Sequence, residues 1–388
     1  MKRTHKKLWP IKMSKPRLSS MPTTIRALGY WREITLLMVS VTISYLFAEV
    51  GYRAFQYATL PGRIVALGNA AIAGSSGYVF DAFTGYRYPP NQDVRSGAPY
   101  NSHWSTNRYG HVSTKDYPRE KPDGEYRIAV IGDSFTANIT NNIRWTELLE
   151  SELKASSAWR AFTAGKRTRV LNFGVDGMGM VQFAAMLHHH ALGFAPDLVI
   201  VNFIVDDMWR KLTYRRAPDS VADMDLYVRD RFLSRVDWFS FRPELVAATV
   251  GRLWGMRCTL PLSAAEFVSA NADLRYSSRA EALDAAAVAI SSILADAPRA
   301  IFLQAALKPE VDGTAPAEWK NVPEDLAKAV PGFRVISMRH AIAGADIDSL
   351  FIIDGHYTDR TTELYGRAVA QELIDRFSEP GPPSDSGR

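Results

Sequence analysis

Short apolar runs recur from residue 125 onward and are separated by segments with helical periodicity. The runs predict strands at Tyr126–Gly132, Thr168–Val175, Asp197–Val205, Arg299–Leu307 and Phe333–Met338. The intervening segments predict helices at 145–154, 181–192, 279–294 and 359–377. Apolar strands that alternate with helices are typical of a parallel sheet whose two faces are both covered by helices. The pattern therefore predicts an α/β domain built on a parallel sheet with helices on both faces.

A different pattern precedes this domain, because Ile34–Ala48 contains no charged residue. As a helix this run would be about 22 Å long, and the flanking residues Leu28–Trp31 extend it toward the roughly 30 Å of a bilayer core. The run therefore predicts a transmembrane helix at 34–50. A buried helix of a soluble protein is the alternative. The triplet Leu46-Phe47-Ala48 is a poor signal-peptidase site, which favours a retained anchor over a cleaved signal peptide.

Positive charge is concentrated ahead of the apolar run. Residues 1–33 carry nine Lys/Arg and one acid, a net charge of +8, so the rest of the chain carries −3 of the total of +5. The globular part is mildly acidic, which argues against a nucleic-acid partner. The positive-inside rule places the basic arm in the cytoplasm and the chain after residue 50 in the periplasm or outside the cell. The expected location is the inner membrane, spanned once.

The remaining segments complete the predicted domain organisation. Residues 51–124 are rich in Gly, Pro, Tyr and Asn and are expected to form an irregular lead-in with a few short strands. Residues 125–378 form the α/β domain, with an insertion or cap at about 215–270, and 379–388 form a disordered tail. The single cysteine, Cys258, excludes an internal disulfide and is expected to be a small buried hydrophobe.

The loops that follow the predicted strands carry the candidate chemistry. Ligands of parallel α/β sheets bind at the carboxyl ends of the strands, where these loops lie. The loops contain Gly132-Asp133-Ser134, then Gly174 and Gly177, then Asp206-Asp207, and finally Asp354-Gly355-His356. A serine hydroxyl becomes a nucleophile when a base removes its proton, and an acidic residue can orient that base. Ser134, His356 and Asp354 supply these residue types.

This ordered set of motifs resembles the SGNH (GDSL-type) hydrolase family over roughly Tyr126–Phe377. The resemblance implies a flavodoxin-like three-layer α/β/α fold and an ester-hydrolysing or acyl-transferring site without a metal or cofactor. It makes Ser134 the nucleophile and an oxyanion donor, Gly174 a second donor, and Asp354 and His356 the rest of the triad. Asp133 is expected to hydrogen-bond neighbouring turns.

The chain departs from the family pattern at two positions. The third oxyanion donor of the family is an asparagine, but Asp206 occupies that place, and an ionised carboxylate cannot donate a hydrogen bond. Burial beside Asp207 could keep Asp206 protonated. Asn202 lies earlier on the strand and is not expected to substitute. The acidic triad member stands two residues before His356, whereas the common family spacing is three.

Several residues have simpler interpretations. Ser134 could be a turn residue, His356 a structural histidine, and the Asp206–Asp207 pair a solvated loop or helix cap. Consecutive histidines on a helix point in different directions, so His188–His190 are expected to lie on a helix surface and not to bind a metal. A further group follows the acidic doublet and could line a sugar or anion pocket, although surface charge is favoured: Trp209, Arg210, Arg215 and Arg216.

These observations lead to one main functional hypothesis and two alternatives. The main hypothesis is a membrane-anchored esterase or acyltransferase that acts on O-acyl, most simply O-acetyl, esters of an envelope or extracellular glycan. The first alternative, motivated by Asp206, is a catalytically weakened domain that binds glycans within a polysaccharide assembly complex. The second is an intracellular lipase-like enzyme. The sequence does not identify protein partners, the acyl group or the acceptor.

Overall fold

The computed structural model describes residues 23–68, 77–216 and 274–378. The basic arm before residue 23, most of the predicted insertion at 215–270 with Cys258, and the tail at 379–388 lie outside the described residues. The chain divides into two units, with a boundary after Thr59.

The first unit, as far as it is described, is the first part of helix α1 (Thr23–Gly68). Its segment Tyr30–Tyr52 is long and apolar enough to cross a membrane. Large apolar side chains on this segment are exposed, with Trp31 68% and Phe47 74% accessible. Helix α1 continues to Gly68, so the segment that directly follows the apolar run is helical and not irregular, contrary to the sequence-based expectation.

The second unit is built around a five-stranded parallel sheet. Neighbouring strands in this sheet are hydrogen-bonded in the spatial order β6-β5-β7-β8-β9. The described strands are β1 (Val79–Asp81), β2 (Gly85–Arg87), β3 (Asp93–Arg95), β4 (His103–Ser105), β5 (Glu125–Gly132), β6 (Arg167–Asn172), β7 (Leu198–Phe203), β8 (Ile301–Gln304) and β9 (Val335–Ser337). In the order of appearance of the sheet strands this is 2-1-3-4-5, the flavodoxin-like order. The predicted fold class is confirmed.

Helices cover both faces of this sheet. Those that follow α1 are α2 (Ser134–Ala137), α3 (Trp145–Ala155), α4 (Ser157–Phe162), α5 (Met180–Met186), α6 (Arg279–Asp296), α7 (Lys308–Asp312), α8 (Val322–Ala329), α9 (Ile347–Leu350) and α10 (Asp359–Ser378). Helix α5 is extended by a π-helical turn at Leu187–Ala191, so the helix predicted at 181–192 is less regular than expected.

Alternating side chains of β5 enter the two layers of the core. Ala129 and Ile131 pack with residues of α5 and α6 on one face. Ile128 and Val130 pack with residues of α3 and α10 on the other. Because successive side chains of a strand point to opposite faces, one apolar strand supplies both cores. The predicted three layers are therefore present, and β5 contributes side chains to the core on both faces of the sheet.

The segment from residue 77 to residue 124 packs on the same body. It contains two short antiparallel pairs, β1 with β2 and β3 with β4. Tyr86, Tyr88, Trp104 and Tyr117 of this segment are buried in the core on the α5 side of the sheet. The predicted short strands are thus present. The segment is an integral part of the domain, because its aromatic side chains belong to the core.

Candidate active site

Ser134 is presented by the sharp turn that ends β5. Asp133 caps helix α2, and its Oδ1 accepts a hydrogen bond from the amide of Phe135 at 2.9 Å. Gly132 allows the close approach of β7, since a Cβ there would lie 2.3 Å from the carbonyl oxygen of Asn202. The amide of Ser134 lies in the first turn of α2, where N–H groups have no partner within the helix. The turn therefore fixes the serine at the carboxyl edge of the sheet.

His356 lies next to this serine, 222 residues later in the chain. Its Nε2 atom is 2.8 Å from Oγ of Ser134. Phe135 stacks on the imidazole, with the ring centroids 5.2 Å apart. Gly355 adopts φ of 87°, a conformation that favours glycine, and turns the chain so that His356 faces the serine. A base within hydrogen-bonding distance of a serine is the arrangement that activates a nucleophile.

Asp354 completes the group on the far side of the imidazole. Its Oδ2 atom lies 2.9 Å from Nδ1 of His356, an ion-pair distance, although the approach is not aligned as a hydrogen bond. Its Oδ1 accepts the backbone amide of His356 at 3.2 Å. Burial opposes the charged form of Asp354, but hydrogen bonds from Tyr100 and His356 outweigh it and hold the carboxyl pKa below its usual value. The structure thus brings together Ser134, His356 and Asp354.

Tyr100 is a fourth member of this group that the sequence did not indicate. It comes from the segment between β3 and β4, and its hydroxyl donates to Oδ2 of Asp354 at 2.7 Å. The carboxylate therefore receives one contact from the tyrosine and others from the histidine loop. A tyrosine in an irregular segment 254 residues away carries no sequence signal for this role.

Replacement of Tyr100 by phenylalanine should lower kcat roughly 3- to 10-fold with little change in KM, because it removes one hydrogen bond from a carboxylate that orients His356. Steady-state kinetics with an activated acetate ester measure the effect. Tyr126→Phe, at the opposite end of β5, is the matched control and should leave kcat unchanged. An unchanged kcat in Tyr100→Phe would show that His356 is held without this bond.

Ser134 and His356 open into a cavity of about 320 Å³. Most of its described lining is polar or charged, and Ile139 is its one large aliphatic side chain. The described lining residues are Ser96, Tyr100, Ser134, Ile139, Thr140, Asp176, Gly177, Arg210, Arg215 and His356. Gly174 and Asp206, which the family resemblance placed in the oxyanion hole, are not among these described lining residues.

Gly174 has a different function in this structure. Its amide donates to Oδ1 of Asn172 at 2.9 Å and is therefore not available to an oxyanion. A Cβ at this position would lie 2.5 Å from the amide nitrogen of Ala137. Glycine is required here because the loop after β6 packs against the helix that carries Ser134. The assignment of Gly174 as an oxyanion donor is thus not supported by its hydrogen bonding.

Asp206 is also unsuited to donate a hydrogen bond. Arg275 and Arg210 contact its carboxylate. Burial opposes its charge, but the two guanidinium groups outweigh burial and lower its carboxyl pKa. The ion pairs therefore favour a charged Asp206 over the possibility that burial beside Asp207 keeps it protonated. The carboxyl pKa that is raised is that of Asp207, which is fully buried and lies near the Asp133 carboxylate.

Asn202 does not replace the missing donor. Its side-chain amide donates to Oγ1 of Thr136 at 2.9 Å, and its Oδ1 accepts from the hydroxyl of Tyr365. Both functional groups of Asn202 are thus used within the core, in line with the expectation from the sequence.

Two of the four residues after the acidic doublet belong to the cavity and not to the general surface. Arg210 donates to Oδ1 of Asp207 at 2.7 Å and to Oδ2 of Asp133 at 3.2 Å. Arg215 donates to Oδ2 of Asp176 at 2.9 Å. The interpretation of Arg210 and Arg215 as surface charge is wrong, since both residues line the cavity that contains Ser134. Trp209 is buried in the core.

The three consecutive histidines lie on one helical turn, and each side chain contacts a different residue. His188 pairs with Asp296 at 2.9 Å, and His190 lies 3.0 Å from Asp81. His189 stacks on Phe83. Within residues 23–68, 77–216 and 274–378, no three His, Cys, Asp or Glu side chains are grouped to hold a metal ion.

The molecule is an α/β protein in which Ser134, His356 and Asp354 are grouped at the carboxyl edge of a flavodoxin-like sheet. The sequence matches no protein-family model and no curated protein. The structure is similar to a lipase/acylhydrolase from Enterococcus faecalis, with 17% identity and a TM-score of 0.36, over 65% of this chain and 96% of that one. An acetylxylan esterase from Geobacillus stearothermophilus has 13% identity and a TM-score of 0.36, over 64% and 94% of the two chains. Sequence identities this low show similarity of fold alone, so the activity of this protein follows from its own residues.

Proposed function

We propose that the protein is a serine-dependent, SGNH-type esterase or acyl-transfer enzyme. The observation that carries this proposal is the 2.8 Å contact between Nε2 of His356 and Oγ of Ser134. The turn at Asp133, the Gly355 conformation and the Asp354 contact all position these two side chains. A structural histidine would not need an acidic partner on one ring nitrogen and a serine hydroxyl on the other.

The reaction follows from this geometry. Oγ of Ser134 attacks the ester carbonyl carbon while its proton passes to Nε2 of His356. Asp354 stabilises the imidazolium that forms. The tetrahedral intermediate then expels the alcohol, which takes the proton from His356. Water or a sugar hydroxyl, deprotonated by the same histidine, attacks the acyl-serine and releases the acid or the new ester.

The cavity favours a short acyl group on a hydroxylated alcohol. A long fatty chain needs a large apolar pocket. The described lining offers Ile139 as one large aliphatic contact, whereas Asp176, Arg215 and Thr140 can hydrogen-bond hydroxyl groups. We therefore infer O-acyl esters, most simply O-acetyl esters, of a glycan as the substrate class.

The N-terminal helix supports a location at the cell envelope. Tyr30–Tyr52 can span a membrane, and nine Lys/Arg in residues 1–33 precede or begin it. We infer a single-pass inner-membrane protein, with a basic cytoplasmic arm, an anchor at about 34–50 and an enzyme domain at 125–378 that faces the periplasm or exterior. In that location the enzyme would meet surface glycans.

A chain-length series of p-nitrophenyl esters tests the substrate class. We expect kcat/KM for the octanoate not to exceed that for the acetate. The gain of about 0.8 kcal/mol for each buried CH₂ is lost where the described cavity wall offers little apolar surface to bury a longer chain. The same full-length protein in detergent should release acetate from acetylated xylan. A preference for octanoate would contradict the short-acyl proposal.

The same samples distinguish the enzyme from a glycan-binding protein without activity. An enzyme is labelled by a fluorophosphonate, which reacts with activated serines. The catalytically weakened binding domain would give a different result. The folded wild-type protein would not be labelled, and the wild type and the Ser134→Ala variant would bind acetylated xylan equally well.

A further inference from the structure

A tetrahedral oxyanion needs positive charge or N–H donors close to the attacked carbonyl. Two of the three donors that the family resemblance assigned are not available here, since the Gly174 amide is bonded to Asn172 and Asp206 is an ion-paired carboxylate. The remaining assigned donor is the amide of Ser134. The described walls of the Ser134 cavity contain two further groups with N–H donors and positive charge, the guanidinium groups of Arg210 and Arg215.

Of these two arginines, Arg210 is tied directly to the nucleophile turn. Oδ2 of Asp133 lies 3.2 Å from Nη1 of Arg210 and 3.4 Å from Oγ of Ser134, so one carboxylate oxygen contacts both side chains. Arg215 is instead engaged with Asp176 and the hydroxyl of Tyr78. Arg210 is therefore the cation linked to the serine at which the tetrahedral intermediate forms.

Arg210 is also held rigidly, as a preorganised donor must be. Its Nη1 donates to Asp207 at 2.7 Å and to the carbonyl of Met178 at 3.1 Å, and its Nε donates to Asp206 at 3.2 Å. Among the described residues, Nη2 makes one ion contact, 3.1 Å from Asp206 Oδ2. It carries two N–H groups, so one of them is not engaged by a described residue and can face a ligand in the cavity. Nearby carboxylates outweigh burial and raise the guanidinium pKa, so the group stays charged.

We propose that Arg210 stabilises the oxyanion through Nη2 and thereby replaces the asparagine amide that this chain lacks. Asp206, at the position of that asparagine, positions the arginine. The inference rests on the proposed serine chemistry. As Oγ of Ser134 bonds to the carbonyl carbon, the C=O π electrons move to the oxygen, and the guanidinium faces that negative charge. No proton leaves Arg210.

The test compares purified full-length variants with wild type, using p-nitrophenyl acetate turnover and a phenylboronic acid that forms a tetrahedral adduct on the serine. Arg210→Gln should lower kcat about 10²- to 10³-fold, the cost of one oxyanion donor, and weaken boronate binding by a similar factor, with KM changed little. Arg210→Lys keeps the charge and should recover part of kcat. Arg275→Gln is the matched control, because Arg275 contacts the same Asp206 but is not among the described lining residues, and it should keep kcat within about 3-fold of wild type.

Removal of Arg210 leaves buried carboxylates without this partner, so the single variant could fail to fold. The double variant Asp206→Ala/Arg210→Gln removes one charge of each sign without placing an amide donor at position 206, and it provides a second route to the same measurement, with thermal unfolding as the check of folding. A folded variant that keeps wild-type kcat and boronate affinity would overturn the role of Arg210. If wild type itself is not labelled by fluorophosphonate and binds no boronate, the proposed serine chemistry fails, and this inference fails with it.

Discussion

Replacement of Ser134 by alanine is expected to lower kcat roughly 10⁴- to 10⁶-fold, the loss that follows removal of the nucleophile from a serine triad. The change deletes the oxygen that lies 2.8 Å from Nε2 of His356. The cap of α2 depends on the side chain of Asp133 and remains in place, so the thermal unfolding midpoint should change little. Acetate-ester turnover and fluorophosphonate labelling measure the loss.

Ser291→Ala is the control for this experiment. The hydroxyl of Ser291 donates to the carbonyl of Ala287 on α6 and has no part in the site. This variant should keep full turnover and full labelling. Residual labelling of Ser134→Ala at the wild-type level would show that another serine is the reactive one, and the proposed mechanism would then be wrong.

The sequence predicted the fold and the grouping of Ser134 with His356 because both depend on strand positions. Continuous apolar runs such as those of β5 and β7 are typical of strands in a parallel sheet that helices cover on both faces. Once the sheet is parallel, the loops after its strands meet at one edge. Ser134 follows β5 directly, and His356 lies in the loop before the last described helix. Their proximity could therefore be predicted from the order of strands and helices along the chain.

The hydrogen-bond partners around these residues could not be predicted in the same way. Gly174 occupies the expected place in its motif, but the side chain of Asn172 uses its amide. Asp206 likewise occupies the expected position, but two arginines keep it charged. A motif fixes which residue stands at a site, whereas competition among neighbouring polar groups decides what that residue can donate.

Residues supplied by irregular segments were missed, as Tyr100 was, or were interpreted as surface charge, as Arg215 was, for a related reason. Tyr100 lies in a segment between two three-residue strands, and Arg215 follows a short turn after β7. Neither position belongs to a periodic pattern, so nothing in the sequence shows which direction the side chain faces. Arg210 was named as a possible pocket residue. Its proximity to the acidic doublet favours that interpretation over surface charge, since a buried carboxylate cluster requires a cation.

Replacement of Asp354 by asparagine is expected to lower kcat about 10³- to 10⁴-fold, close to the loss that the equivalent change causes in a serine protease. The carboxylate contacts Nδ1 of His356 at 2.9 Å, and its lowered pKa keeps it ionised at neutral pH. An asparagine can present its amide N–H to Nδ1 and so stabilise the tautomer in which Nε2 carries the proton. That tautomer cannot accept the proton of Ser134.

Asp348→Asn is the control for this prediction, since Asp348 is also an aspartate of the C-terminal region but is 91% exposed on its side chain and lies 4.0 Å from Lys308. It should retain wild-type kcat. Both variants should bind substrate with similar KM, because neither carboxylate is among the described residues that line the cavity. A loss below about 10-fold in Asp354→Asn would mean that the shorter spacing between aspartate and histidine leaves Asp354 too poorly aligned to orient the base, and that the stacking of Phe135 and the loop backbone hold His356 in place.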